Sequence, residues 1–164
     1  MMRGHSQTLF WAACLLVAGC VATGIVLAFS GSSKAAPTKA EYFASVAAIC
    51  RVYGPRLDKI SPPYDIAIPG EVAGPVKLAL PLVVAETREV RALRPPEELA
   101  PQVEHWLALK DRAIATLRRT LREALIPDVR RMGPDWLLFV DQVKAAGKAG
   151  GKIGFPKVCS TGSE

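Results

Sequence analysis

The hydrophobic and polar positions of this chain divide it into an uncharged N-terminal run and a longer, amphipathic part. Residues 8–29 carry no charged side chain. From residue 38 onward, apolar residues recur three or four positions apart between charged ones, which is typical of helices that bury one face. No segment alternates with period two for long enough to indicate a strand. The pattern predicts an all-α protein, in which an N-terminal transmembrane helix precedes an up-down four-helix bundle at residues 38–160 and a disordered tail at 161–164.

The first two helices of the bundle are marked by caps and prolines. Thr38 and Glu41 form a capping-box pattern that begins a helix running to about Lys59, and Gly54-Pro55 should bend it near its end. The second helix should begin between Pro69 and Val72 and reach Leu93. Its apolar stripe includes Val72, Val76, Leu80, Val83 and Val90. Pro81, in its interior, predicts a second kink.

The third helix has the clearest pattern, and the fourth is shorter. The third should follow Pro95-Pro96 and end near Leu125, because it begins with acidic residues and ends with basic ones. A turn containing Gly133-Pro134 should separate it from a fourth helix that begins near Asp135. The glycine-rich segment 147–154 is interpreted as a loop. The C-terminal segment to Cys159 then returns to the first helix.

The N-terminal run has the length of a membrane span. As a helix, residues 8–29 would be about 33 Å long, against a hydrocarbon core of roughly 30 Å. Trp11 and Phe29 lie near its two ends, where interfacial aromatic residues are common. The run predicts a single-pass protein of the cell membrane. Residues 1–7 would be cytoplasmic, residues 30–37 a flexible tether, and the bundle extracytoplasmic.

Two alternatives to a retained anchor remain open. Residues 16–20 resemble a bacterial lipobox, in which the chain is cut before Cys20 and this cysteine is lipidated, although Val21 to Phe29 stays apolar where a polar tether is usual. A cleaved signal peptide could end at Ala28-Phe29-Ser30, but its apolar region usually spans about 7–15 residues. All three interpretations place the domain outside the cytoplasm.

The compartment determines how the cysteines are interpreted. Cys14 and Cys20 lie in the apolar run, so only Cys50 and Cys159 belong to the domain. In an oxidising compartment an even pair most simply forms a disulfide. No C-x-x-C motif or cluster of histidines favours a redox or metal site instead. The sequence therefore predicts a structural disulfide between Cys50 and Cys159.

No constellation of residues indicates catalysis, a metal or a cofactor. His105 is the one histidine in the domain, whereas zinc and haem sites normally need further ligands. Nucleophile motifs are missing, and the glycine-rich segment lacks the phosphate-binding pattern. Glu86 and Glu89 are interpreted as a solvated face with Arg88 and Arg91. We therefore expect a protein that is not an enzyme and has no catalytic, metal-binding or cofactor-binding residues.

Charge is the remaining indication of a partner. The chain has 21 lysines and arginines against 15 acidic residues. A basic cluster is expected around the end of the third helix, formed by Arg118, Arg119, Arg122, Arg130 and Arg131. In an exported protein such a cluster would contact anionic lipid or a wall polymer rather than nucleic acid. The alternative is a solvated face that contributes only solubility.

Several short motifs give the domain a family resemblance. Ala40-Glu41-Tyr42, Ile49-Cys50, the double prolines at 62–63 and 95–96, and Gly154 to Cys159 resemble a loose group of bacterial envelope proteins. Those proteins combine an N-terminal anchor or lipobox with a small helical domain. The resemblance implies a disulfide between Cys50 and Cys159 and no particular activity.

The function expected from these features is binding. The first hypothesis is a membrane-anchored, non-enzymatic binding or scaffold domain of the cell envelope that engages another envelope component. The alternatives are a carrier of a small ligand or cofactor, with a pocket opened between the helices by Pro55 and Pro81, or a lipoprotein anchored through Cys20. An internal pocket with convergent polar groups would favour the carrier. A filled core with a large exposed apolar patch would favour a protein partner.

Overall fold

The computed structural model describes residues 36–126, 129–156 and 159, and these residues fold as four α-helices. The helices are α1 (Lys39–Leu57), α2 (Pro69–Ala92), α3 (Ala100–Leu125) and α4 (Val129–Ile153), and a short 3-10 turn at Glu97–Leu99 precedes α3. The described part of the chain contains no strand, which confirms the all-helical prediction.

Two hydrophobic clusters lie at opposite ends of the bundle. The first joins the start of α1 to the end of α2, the start of α3 and the end of α4, and its buried residues are Tyr42, Val46, Cys50, Val90, Leu99, Val103, Trp106, Ile153 and Phe155. The second joins the start of α2 to the end of α3 and the start of α4, through Val72, Ala73, Val76, Leu117, Ala124 and Met132. Helices α2 and α3 therefore run antiparallel, as do α3 and α4.

The capping box at the start of α1 is present as predicted, and the helices contain their interior prolines. The backbone N–H of Glu41 donates to the Thr38 hydroxyl at 3.2 Å, and the Thr38 backbone N–H donates to the Glu41 carboxylate at 2.8 Å. The bonds from Thr38 hold the pKa of Glu41 below its ordinary value. Helix α1 continues through Pro55, and α2 continues through both Pro75 and Pro81.

Helix α4 is longer at both ends than the sequence indicates. It begins at Val129, so that Gly133-Pro134, predicted as a turn, lies inside it. Met132 explains the early start, because its side chain is fully buried in the second cluster and anchors the first turn of the helix. Burial of this side chain outweighs the unfavourable effect of Pro134 on the helix.

The predicted glycine-rich loop is also helical. Gly150 packs directly under Trp106, and a Cβ atom at this position would lie 3.2 Å from the indole nitrogen. The glycine thus permits close packing of α4 on α3. The helix ends at Ile153. The next residue, Gly154, has a φ of 91°, and the N–H of Phe155 bonds back to the Gly150 carbonyl at 3.0 Å. This is the Schellman arrangement of a helix C-terminus.

The segment beyond α4 returns to α1, as predicted. Cys159 forms a disulfide with Cys50, and their Cα atoms are 5.2 Å apart. Phe155 is buried on the way, with its ring edge-on to Trp106 at a centroid distance of 5.2 Å. Near it, the Tyr42 hydroxyl is buried without a hydrogen-bond partner among the described residues, and burial raises the pKa of Tyr42 to about 12.

The predicted anchor at 8–29, the lipobox-like residues 16–20, most of the tether and the tail at 161–164 lie outside the described residues. Among the helices that the structure describes, none is both long enough and apolar enough to cross a membrane. Retention, lipidation at Cys20 and export of the domain stay predictions from the sequence.

Candidate functional site

A cleft of about 370 Å³ lies between the helices of the bundle. All four helices, the segment after α1 and the C-terminal segment contribute to its wall. Most residues of the wall are apolar and come from the inner faces of the helices, and polar residues are few. The wall includes Asp58, Ser61, Pro62, Val76, Ala79, Val83, Glu86, Trp106, Lys110, Leu117, Trp136, Phe139, Val143 and Gly150.

The cleft follows the bundle axis. On α3 its wall extends from Trp106 to Leu117, a rise of about 16 Å, and on α4 from Trp136 to Gly150, a rise of about 21 Å. Exposed residues of the wall are confined to the segment after α1, where Asp58 and Ser61 lie. The cleft is therefore elongated and opens to solvent beside this segment.

One ion pair interrupts an otherwise largely apolar wall. The Lys110 ammonium donates to Glu86 Oε2 at 3.0 Å, with 8% of the Glu86 side chain and 19% of the Lys110 side chain exposed. The same ammonium lies 5.6 Å from the ring centroid of Trp106, close enough for a cation–π interaction. The pair presents a donor and an acceptor side by side in apolar surroundings, which allows it to orient a polar group of a ligand.

The interpretation of Glu86 as part of a solvated face is wrong. Glu86 is buried and faces α3, because it follows Val83 by three residues and precedes Val90 by four on the apolar stripe of α2. Glu89 is half-buried and accepts a hydrogen bond from the Tyr53 hydroxyl of α1. The position of Glu86 on the apolar stripe of α2 could have predicted its burial. The nearby Arg88 and Arg91 instead favoured a solvent-exposed face in the sequence analysis.

The predicted arginine cluster lies away from the cleft, around the α3–α4 turn. Four of its members are exposed: Arg118, Arg122, Arg130 and Arg131. The fifth, Arg119, forms a bidentate ion pair with Asp135 of α4. Glu123 lies in the same group. The cluster therefore contains two carboxylates and is less basic than the sequence pattern indicates.

Glu123 gives this group a testable pH dependence. Its Oε2 atom is buried without a hydrogen-bond partner among the described residues. Burial, followed by the nearby Asp135 carboxylate, raises the pKa of Glu123 above its ordinary value of 4.5. Folding therefore favours the protonated form, and the contribution of Glu123 to stability falls as the pH rises above about 4.5.

We expect Glu123→Gln to be more stable than the unmodified chain at pH 7, with a difference that shrinks toward pH 4. The bond from Arg119 lowers the pKa of Asp135, so Asp135→Asn should show the opposite sign: it should be destabilising at neutral pH, with a smaller effect in acid. Urea unfolding at several pH values measures both. A difference for Glu123→Gln that does not change with pH would contradict this assignment.

His105 is exposed on the outer side of the bundle. It lines a second, shallower groove of about 670 Å³ between α3 and α4, together with Lys148 and Lys152. In the described ranges no group of three or more His, Cys, Asp or Glu side chains is arranged to hold a metal ion.

Comparison of the chain with protein-family models, with curated proteins and with solved structures gives no match.

Proposed function

We propose that the domain is a non-enzymatic binding protein that holds a small, largely apolar ligand in the cleft between its helices. The observation that carries this proposal is the cleft itself. At about 370 Å³ it lies within the range of about 300–1,000 Å³ usual for small-molecule sites. Its wall combines apolar side chains with one ion pair, between the buried Glu86 and the partly exposed Lys110.

The cleft favours a carrier of a small ligand over a scaffold that binds another envelope component. A carrier was expected to have a pocket with convergent polar groups, opened by Pro55 and Pro81. The cleft with its Glu86–Lys110 pair supports the carrier hypothesis, although neither of these prolines lines it. If residues 8–29 form a retained anchor, or if Cys20 is lipidated, the ligand would be bound at the membrane surface. Apolar molecules are concentrated there, so an anchored carrier would meet its ligand without a long aqueous path.

Photolabelling of the full chain in lipid nanodiscs tests the proposal. The probe is a diazirine-bearing hydrocarbon, and labelled positions are mapped by peptide mass spectrometry. We expect label on α4 peptides containing Phe139 and Val143. Ala79→Phe places a ring in the cleft and should reduce this label at least tenfold, because the occupied volume is no longer available.

Leu78→Phe is the matched control. Leu78 neighbours Ala79 on α2 but is 63% exposed and does not line the cleft, so its replacement should leave the label unchanged. Equal labelling of both variants, or label confined to residues 8–29, would contradict binding in the cleft.

The exposed end of α3 favours a second candidate, the envelope-binding scaffold. Leu125 is 53% and Ile126 is 73% exposed, and both follow the exposed Arg122. An apolar tip beside a cation complements the surface of an anionic membrane. In the same experiment, crosslinks between residues 122–126 and anionic lipid, without label in the cleft, would favour this function over the first.

A further inference from the structure

The shape of the cleft and its one ion pair narrow the class of ligand. We infer that the ligand is a neutral, single-chain amphiphile whose hydroxyl group bridges Glu86 and Lys110. This inference rests on the proposed function, because it assumes that the cleft is a binding site.

The cleft is elongated, as an extended hydrocarbon chain is. Its wall extends for about 16 Å along α3 and about 21 Å along α4. A single extended chain can lie along this length and stay in contact with the wall throughout. The apolar side chains of Val83, Phe139 and Val143 would surround the chain.

The ion pair lies toward the inner end of the cleft. Lys110 is one helical turn from Trp106, and the cleft continues on the other side as far as Leu117 on α3 and Trp136 on α4. Lys110 is level with about residue 146 of the antiparallel α4, because Arg119 contacts Asp135 and Trp106 lies over Gly150. From there the wall continues for about 10 Å on α3 and about 15 Å on α4, the extended length of a chain of about eight to twelve methylene groups.

The pair favours a hydroxyl over a charged head group. Lys110 has three N–H donors, of which one is given to Glu86, and the Glu86 carboxylate only accepts. A hydroxyl can accept from Lys110 and donate to Glu86 at the same time, so it leaves the pair intact.

A ligand with a charged head group would be repelled by one member of the Glu86–Lys110 pair. A ligand carboxylate would lie beside the Glu86 carboxylate and compete with it for Lys110, and a ligand ammonium would be repelled by Lys110 in the same way. Because the pair is largely removed from water, solvent would screen this repulsion only weakly.

Competition against the photolabel tests this assignment. Dodecanol, dodecanoate, dodecylamine and dodecane have the same chain length and differ at one end. In the full chain in nanodiscs, we expect dodecanol to displace cleft label at about tenfold lower concentration in the lipid than any of the other three, since a hydrogen bond to a charged group largely removed from water contributes about that much.

Two substitutions should change the preference in opposite directions. Glu86→Gln leaves Lys110 without its counter-charge, so the ratio of dodecanoate to dodecanol affinity should rise about tenfold. Lys110→Gln leaves Glu86 alone and should raise the preference for dodecylamine instead. These ratios compare variants in identical nanodiscs, so the different partitioning of the competitors into lipid cancels.

Asp111→Asn provides the control. Asp111 also pairs across α2 and α3, with Arg91, but the two side chains are 55% and 49% exposed and lie outside the cleft. This variant should keep the preference of the unmodified chain. If Glu86→Gln does not fold, Lys110→Gln carries the test through the opposite shift.

The failure of this inference can be told apart from that of the proposed function. If the cleft is labelled but the four competitors displace the label equally, and neither charge variant changes the order, the ligand class is wrong and binding in the cleft stands. If the unmodified chain shows no label in the cleft at all, both the inference and the proposed function are overturned.

Discussion

Replacement of Cys50 and Cys159 together by serine is expected to lower the free energy of unfolding by about 4–5 kcal/mol. The bond joins residues separated by 109 positions, which span almost the whole helical domain. Without the crosslink the unfolded chain gains the entropy of an open loop of this length, whereas the folded chain loses little contact. For a domain with a total stability of about 5–15 kcal/mol, this is a large fraction.

Guanidinium unfolding of the full chain, followed by far-ultraviolet circular dichroism, measures this effect. The unmodified chain under reducing conditions should unfold at the same midpoint as the double variant. Serine at both Cys14 and Cys20 is the control and should not shift the midpoint of the domain. A loss below about 1 kcal/mol in the Cys50 and Cys159 variant would show that the bridge contributes little beyond the helix packing.

Trp106→Ala should lower the free energy of unfolding by about 3–5 kcal/mol. Trp106 is 5% exposed and packs against Phe155 and Gly150, so its removal leaves a void between α3, α4 and the returning segment. It also removes the ring over which the Lys110 ammonium lies. Under the proposed function, the substitution should therefore weaken ligand binding in the cleft as well as folding.

A double-mutant cycle with Gly150→Ala separates the packing role of Trp106 from a general loss of stability. In the unmodified chain the new methyl group would lie 3.2 Å from the indole nitrogen and 3.4 Å from the Phe155 ring. Both rings are buried and have little room to shift, so we expect this overpacking to outweigh the gain in helix propensity and Gly150→Ala to be destabilising. In the Trp106→Ala background the same methyl group enters the void, and it also removes a glycine from a helix, so it should be stabilising. Additive effects of the two substitutions would contradict direct packing of the two positions.

Features that depend on neighbouring residues could be predicted from the sequence. Thr38 and Glu41 cap α1 through bonds within a single turn, so the pattern alone identifies the start of the helix. The apolar stripe of α2 requires only its own spacing. The disulfide is the exception among long-range contacts: the pairing of Cys50 with Cys159, 109 positions apart, could be predicted because the domain holds just these two cysteines.

Other features that depend on distant residues could not be predicted. Gly150 was expected in a loop because it is a glycine. It is instead a helical residue at which Trp106, on another helix, occupies the space that a side chain would need. Met132 is buried by residues of α2 and α3, and this contact extends α4 through Gly133-Pro134. Glu86 becomes part of a site only when α3 brings Lys110 beside it. The cleft itself has no local signal, since its wall comes from every helix.

Helix α1 is held in the bundle by packing as well as by a covalent bond. The close backbone neighbours are α1 with α2, α2 with α3, and α3 with α4, and α1 also packs against the end of α4 and the segment after it. Tyr42, Val46 and Cys50 of α1 are buried in the first cluster, so reduction of the disulfide should leave α1 in place. Because Leu57 and the segment after it form one side of the cleft, the cleft should keep this wall in the reduced protein.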